Sequence, residues 1–174
     1  MDAQAVVREQ LVVGLTGGDA HMTFEDAVEA FPDAAINERA PNVAYTPWHL
    51  VEHLRRAQRD MLDYIRDPGY VAPEWPRGYW PDPVAVTTPD GFRASVDAFL
   101  ADRRALEAIA LDPAVDVLAG LAHAPEHTVA RCLRVIANHN SYHVGELGSL
   151  RQVTESWARA PDRRGSLSHL PRRW

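Results

Sequence analysis

The sequence predicts an all-α protein, a four-helix bundle with one short extra helix. Three observations predict this class. Threonine marks the helix starts, because its side chain can accept a hydrogen bond from a free amide of the first turn. Apolar residues recur at spacings of three and four along the long segments. No run of alternating apolar and β-branched residues is long enough to predict a strand.

The predicted helices cover residues 3–16, 23–31, 47–66, 89–110 and 128–153. Thr23 opens the short helix, and Asp26 follows at the position of a capping box. Thr46 and Thr88 are each followed by proline, which the first helical position tolerates. Thr128 precedes the last helix. Since the chain shows no internal repeat and no boundary, we predict one domain over residues 1–159.

Two segments fall outside these helices. Residues 66–88 contain five of the thirteen prolines together with four large aromatic residues, Tyr70, Trp75, Tyr79 and Trp80. This aromatic content argues against disorder, and the segment is predicted to cover an open end of the helices, to form a wall of a ligand site, or both. Residues 160–174 hold four arginines, which is typical of a flexible basic tail or of a weak contact to the acidic body.

Composition excludes several classes of function. The net charge is −6, so neither nucleic acid nor a membrane surface is expected as a partner. All eighteen basic residues are arginine, which excludes Schiff-base and Ser-Lys chemistry. A lone Cys132 and the lack of a leader-like or membrane-spanning run predict a cytoplasmic protein.

Three His-x-x-x-His pairs occur: His49/His53, His123/His127 and His139/His143. On a helix this spacing puts both rings on one face, close enough to share a metal ion. The middle pair contains a proline and is expected in a turn with a surface or capping role. The alternative for His127 is a group that reaches toward the substrate. The last pair lies on an apolar seam that comprises Cys132, Ile136, His139, His143, Leu147 and Leu150. Cys132 is a core thiol in this interpretation, since it is about 10 Å along the helix from His139.

Helical periodicity places the two histidines of the first pair on different faces of their helix. His53 falls with Leu50 and Ala57 on the apolar side of its helix, whereas His49 falls on a charged stripe and is expected to form a cap or face water. His53 is therefore the candidate third ligand. Glu52 and Glu146 could orient a ligand or move protons, and the alternative for each is an ordinary surface acid, favoured for Glu52.

Three neutral nitrogens would leave a divalent ion with its full charge and an open position, a pattern more often catalytic than structural. Nitrogen ligands suit zinc or nickel. The alternative is a set of core histidines bonded to Asn, Tyr or backbone groups. Tyr142 and Glu146, which flank His143, are the candidate catalytic residues. Trp48, Trp75, Trp80 and His127 are the candidate residues of the substrate pocket.

The stretches YTPWHLVEHLRRAQRDMLDYI, PEWPRGYWP and NHNSYHVGELGSLRQ together resemble the DinB-like family, which is related to YfiT-type metal-dependent hydrolases. The resemblance implies a four-helix bundle in up-down-down-up order, frequent dimerisation, and a divalent metal on three histidines. By motif these are His53, His139 and His143. The chain departs from the family pattern His-x-Gly-Gln-Leu, because Glu146 stands in place of the glutamine.

The resemblance further implies transfer reactions in which the metal activates a low-molecular-weight thiol such as bacillithiol or mycothiol. We therefore expect a metal-dependent S-transferase or hydrolase that acts on a small electrophile. The alternative is a non-catalytic metal-binding module of a stress response. Neither the substrate nor a preference among anionic and aromatic ligands follows from the sequence.

Overall fold

The computed structural model describes residues 3–157, which are mainly helical as predicted. Its helices are α1 (Ala3–Thr16), α2 (Phe24–Val28), α3 (Pro47–Arg66), α4 (Pro89–Leu111) and α5 (Val129–Val153). A single 3-10 turn, Asp33–Ala35, follows α2. The predicted basic tail and the end of the predicted domain lie outside the described residues. The four-helix bundle in up-down-down-up order stays a prediction.

Threonine caps define four of the helix starts. The hydroxyls of Thr23, Thr46, Thr88 and Thr128 each accept a hydrogen bond from the backbone amide three residues on. Each removes one of the unpaired donors of a first helical turn. The capping box predicted at Thr23 is present. The end predicted for the short helix is wrong, since α2 stops at Val28 and Ala30 has a left-handed backbone with φ of 46°.

Helix α3 packs against α4 and α5, and α1 packs against the same two helices. Their apolar faces form two hydrophobic clusters. The first cluster includes Leu62, Leu106, Val117, Cys132, Leu133 and Ile136. The second includes Phe24, Leu50, Leu54, Phe99, Val144 and Leu147. Along α5 the first cluster ends at Ala137 and the second begins at Val144, so His139 and His143 lie between the two.

A short hairpin that the sequence did not predict precedes α5. Strand β1 (Gly120–Leu121) pairs antiparallel with β2 (Ala124–Thr128). The middle histidine pair therefore lies in this hairpin. Gly120 is required by close approach, because a Cβ atom there would lie 2.0 Å from the carbonyl oxygen of Pro125.

The proline-rich segment 66–88 folds back over α3. The prediction that the charged stripe of α3 is solvated is therefore wrong. His49 is 2% exposed and bonds to the carbonyl of Asp82 at 3.0 Å. Its other nitrogen accepts from the backbone amide of Thr46 at 3.2 Å, so the expected capping role is present. The expectation that His49 faces water is wrong, since the returning loop covers this face.

Glu52, expected as a surface acid, is also buried, at 7% exposure. Its carboxylate accepts hydrogen bonds from Arg55, Arg56 and the hydroxyl of Ser95 on α4. Burial raises the pKa of Glu52, but the bonds from Arg55 and Arg56 outweigh burial and hold this pKa at about 2. The hydrogen bond from Ser95 to Glu52 therefore links the charged stripe of α3 to α4.

None of the helices within residues 3–157 is long and apolar enough to cross a membrane. The cytoplasmic location stays a prediction.

Candidate metal centre

Three imidazoles from two helices meet at one point. His53 extends from α3, and His139 and His143 extend from α5 one helical turn apart. The Nε2 atom of His53 lies 3.1 Å from Nε2 of His139 and 3.2 Å from Nε2 of His143. Possible ligand atoms of the three rings all lie within 4.8 Å of one another. They form the one group of this kind within residues 3–157.

The tautomer of His53 follows from its second hydrogen bond. Its Nδ1 atom lies 3.0 Å from the backbone carbonyl oxygen of Tyr79. A carbonyl can only accept, so Nδ1 carries the proton and Nε2 presents a lone pair. Burial, together with the positive charge that His139 or His143 would carry, lowers the pKa of His53 to about 4. The ring is thus neutral at physiological pH.

His143 is oriented by a carboxylate. Its Nδ1 atom lies 2.5 Å from Oε2 of Glu146, and the second oxygen of Glu146 accepts from the hydroxyl of Tyr45 at 3.0 Å. An ionised carboxylate only accepts, so His143 donates through Nδ1, and in the neutral ring Nε2 is the nitrogen that carries the lone pair. Burial and the bond to Glu146 raise the pKa of Tyr45 to about 12, which keeps this phenol a donor.

His139 is oriented through a buried chain of amides. The Nε2 amide of Gln58 donates to the carbonyl of Phe99 at 2.6 Å, which leaves the Gln58 oxygen to accept from the Nδ2 amide of Asn140 at 2.7 Å. The Asn140 oxygen then faces Nδ1 of His139 at 3.4 Å. Because the carbonyl at the start of this chain fixes every donor after it, His139 also carries its proton on Nδ1.

These residues fit a divalent cation. When the three rings are neutral, each donates through Nδ1, so three lone pairs point at a common centre with no proton between them. Burial lowers the pKa of His139 as well, and a second positive charge beside it at His143 lowers it further. Protonation therefore cannot relieve the repulsion among the lone pairs without a charge in a buried site. A metal ion satisfies all three nitrogens, and their second bonds are those typical of metal-ligating histidine.

Trp80 lies directly against the cluster. Its ring stacks on His53 with centroids 3.8 Å apart and an angle of 7° between the planes. The ring of Tyr45 packs on Trp80 at 5.4 Å. The proline-rich segment thereby fixes the orientation of His53 from two sides, through the Tyr79 carbonyl and the Trp80 ring.

A cavity of about 390 Å³ opens at the histidines. The three imidazoles lie on one side of it. The other walls are formed chiefly by Met61, Trp75, Tyr79, Trp80, Val135 and Ile136. A small molecule in this cavity would contact the face of the site that the protein leaves open.

A sequence model of the DinB superfamily matches residues 19–147, which is more than half of the chain. The chain belongs to the DinB superfamily. No curated protein and no solved structure matches it. All three clustered histidines fall within the matched range, so the DinB-like resemblance of the sequence is confirmed.

Within this DinB-superfamily protein, the four residues predicted for the substrate pocket divide into two groups. Trp75 and Trp80 line the cavity, and their contact with a substrate stays a prediction. Trp48 and His127 are not among its lining residues in the described part of the chain. Trp48 packs on the second hydrophobic cluster, and Nδ1 of His127 lies 2.6 Å from the hydroxyl of Tyr64.

The two candidate catalytic residues both contact His143. Glu146 lies behind the ring, with each carboxylate oxygen in a hydrogen bond. Tyr142 is 66% exposed and packs edge-on against the ring, with centroids 4.9 Å apart. The catalytic role of each stays a prediction.

Sequence reasoning missed the residues that orient the histidines. Gln58 and Asn140 carried a usable signal, since each interrupts an apolar seam: Leu54, Gln58 and Leu62 are spaced by four, and all three are buried. A buried amide needs partners, which predicts a polar contact between helices. Tyr45 carried no such signal, because its partner Glu146 is 101 residues away.

Proposed function

We propose that this protein is a metal-dependent enzyme, a thiol-dependent S-transferase or a hydrolase, that acts on a small electrophilic substrate. The observation that supports the proposal is the convergence of three histidine Nε2 atoms beside an aromatic cavity. Zinc or nickel suits this nitrogen donor set. The finer fold assignment, a four-helix bundle in up-down-down-up order, belongs to the same proposal.

His53, His139 and His143 would hold the ion. When bound, a divalent ion on three neutral ligands supplies a Lewis acid that lowers the pKa of a thiol or of water. Three protein ligands leave a coordination position for that group. The cavity is on this open side, so it is where the electrophile would bind.

The remaining side chains have separable roles in this proposal. Glu146 positions His143 and increases its strength as a donor, because its carboxylate accepts the Nδ1 proton. Trp80 shields His53 from water and forms a wall for the substrate. Tyr142, exposed beside His143, is the candidate for proton transfer to or from solvent.

The proposal is tested by metal analysis and by one ligand variant. Protein purified without an affinity tag is expected to contain close to one divalent ion per chain by inductively coupled plasma mass spectrometry. His139→Ala is expected to lose most of this metal and, with it, turnover of thiol and electrophile pairs. His127→Ala is the matched control, because His127 is half-buried and bonds to Tyr64 outside the cluster.

The outcomes separate the candidate functions. Full metal content in His139→Ala, or activity that survives its loss, would contradict the proposed site. Metal that raises the melting temperature without turnover of any tested pair would instead favour a non-catalytic metal-binding module.

A further inference from the structure

The walls of the cavity carry no cationic side chain among the residues that the structure describes. The chain has no lysine, so arginine is the only permanent cation available to it. Arg56, whose guanidinium lies beside Trp80, bonds to the Trp80 carbonyl at 2.9 Å and to Glu52 at 2.9 Å. Its charge is thus committed outside the cavity.

The charged residue of the cavity wall is acidic. Asp60 lines the cavity, and its two oxygens accept from the hydroxyls of Tyr70 and Tyr79. The Tyr79 contact is 3.0 Å long. Two neutral phenols leave the negative charge of Asp60 in place, so an anionic group held against this wall, away from the three histidines, would meet repulsion and no counter-charge from the wall.

The rest of the wall suits an uncharged ring. Trp75, Tyr79 and Trp80 present aromatic surfaces, with Trp75 and Tyr79 centroids 5.7 Å apart. Met61 adds a thioether, which packs well against aromatic groups, and Val135 and Ile136 add aliphatic surface. An aromatic ligand gains from such contacts beyond the area it buries.

We propose that the walls select an uncharged aromatic or aliphatic group, attached to the thiol or electrophilic centre that reacts at the metal, and disfavour an anionic group in that position. This inference rests on the proposed function, whose substrate class it narrows. It also ranks the ligand types that the sequence left open, placing neutral aromatic molecules ahead of anionic thiols.

The test compares benzyl mercaptan with 4-(mercaptomethyl)benzoate by isothermal titration calorimetry on the protein as purified. The two share the thiol and the ring, and the carboxylate of the second is too far from its thiol to reach the metal. Benzyl mercaptan is expected to bind tighter by about tenfold or more. Equal affinities, or tighter binding of 4-(mercaptomethyl)benzoate, would overturn the inference at any metal content. Metal content measured on the same sample tests the proposed function separately, because the preference arises from the walls.

Two variants locate the preference in the cavity. Trp75→Ala removes a ring that is 68% exposed, so the fold should persist while the affinity for benzyl mercaptan drops severalfold. Val135→Arg places a cation on the wall and should tighten 4-(mercaptomethyl)benzoate by about tenfold. Val153→Arg, an exposed position on the same helix outside the cavity, is the control and should change neither affinity. A Trp75→Ala protein with an unchanged affinity for benzyl mercaptan would overturn the assignment.

Discussion

Replacement of Glu146 by glutamine should weaken metal binding without loss of the fold. The substitution keeps the shape of the side chain and removes its charge. The glutamine oxygen can still accept from Nδ1 of His143, and its amide can donate to the Tyr45 hydroxyl, which also accepts. Both hydrogen bonds of the native geometry therefore have a replacement.

What the variant loses is a charged acceptor behind a metal ligand. The Glu146 contact to His143 is 2.5 Å long, shorter than the roughly 2.7–2.9 Å of charge-assisted bonds from a nitrogen donor to a carboxylate. Loss of such an outer partner typically costs about 10–100-fold in metal affinity, or about 1.4–2.7 kcal/mol. We expect an effect within this range, because glutamine keeps the acceptor for Nδ1 of His143 and removes only its charge.

The assay is competition for zinc against a chromophoric chelator, with circular dichroism to verify the helix content. Glu126→Gln is the matched control, since the Glu126 side chain is 70% exposed in the hairpin. The reasoning is refuted if Glu146→Gln binds zinc as tightly as the unaltered protein while both are folded. A tenfold loss in Glu126→Gln as well would show a general charge effect instead.

Three further predictions concern stability, each measured by chemical denaturation. Glu52→Gln should lower the free energy of unfolding by about 2–3 kcal/mol, because two partly exposed arginines lose a buried partner; an effect under 0.5 kcal/mol would contradict the ion-pair assignment. In metal-free protein, the pKa of His53 near 4 against an ordinary 6.5 means that the unfolded chain binds more protons between these values. The free energy of unfolding should therefore have its full value above pH 6.5 and fall by up to about 3 kcal/mol toward pH 4. A free energy of unfolding that does not change with pH would exclude a buried neutral ring. Gly120→Ala should destabilise by more than about 1 kcal/mol through contact with Pro125, whereas Gly145→Ala, in open space on α5, should stabilise by about 0.5–1 kcal/mol; the reverse order would contradict the hairpin geometry.

The helices were predictable because their signals are local. A threonine cap and the periodicity that follows it involve residues within two or three turns, so α3, α4 and α5 begin within one residue of the prediction. The hairpin was not predictable on the same grounds. Its strands are two and five residues long and carry no alternating pattern.

The burial of the charged stripe on α3 could not be predicted, for a related reason. His49 and Glu52 have the spacing of a solvated face, and only the return of residues 66–88 and the packing of α4 cover them. These contacts span 33 and 43 residues along the chain. Sequence periodicity describes one helix at a time, so it cannot show which loop will cover it.

The histidine cluster was within reach of the sequence, since seam positions on two helices already selected His53, His139 and His143. The orientation of these three rings could not be predicted. It depends on Tyr45, Gln58 and Asn140, whose partners are on other elements.

The chain of amides that begins at the Phe99 carbonyl connects α4 to the candidate metal centre. Among the described residues, α4 itself contributes no ligand to this centre. A protein engineer would regard Gln58, fully enclosed between leucines, as an obvious position for another leucine. That change would free the ring of His139 to adopt its other protonation pattern and turn a proton toward the ion. The best-hidden polar residue of the interior is thus the one that a stabilisation programme should leave untouched.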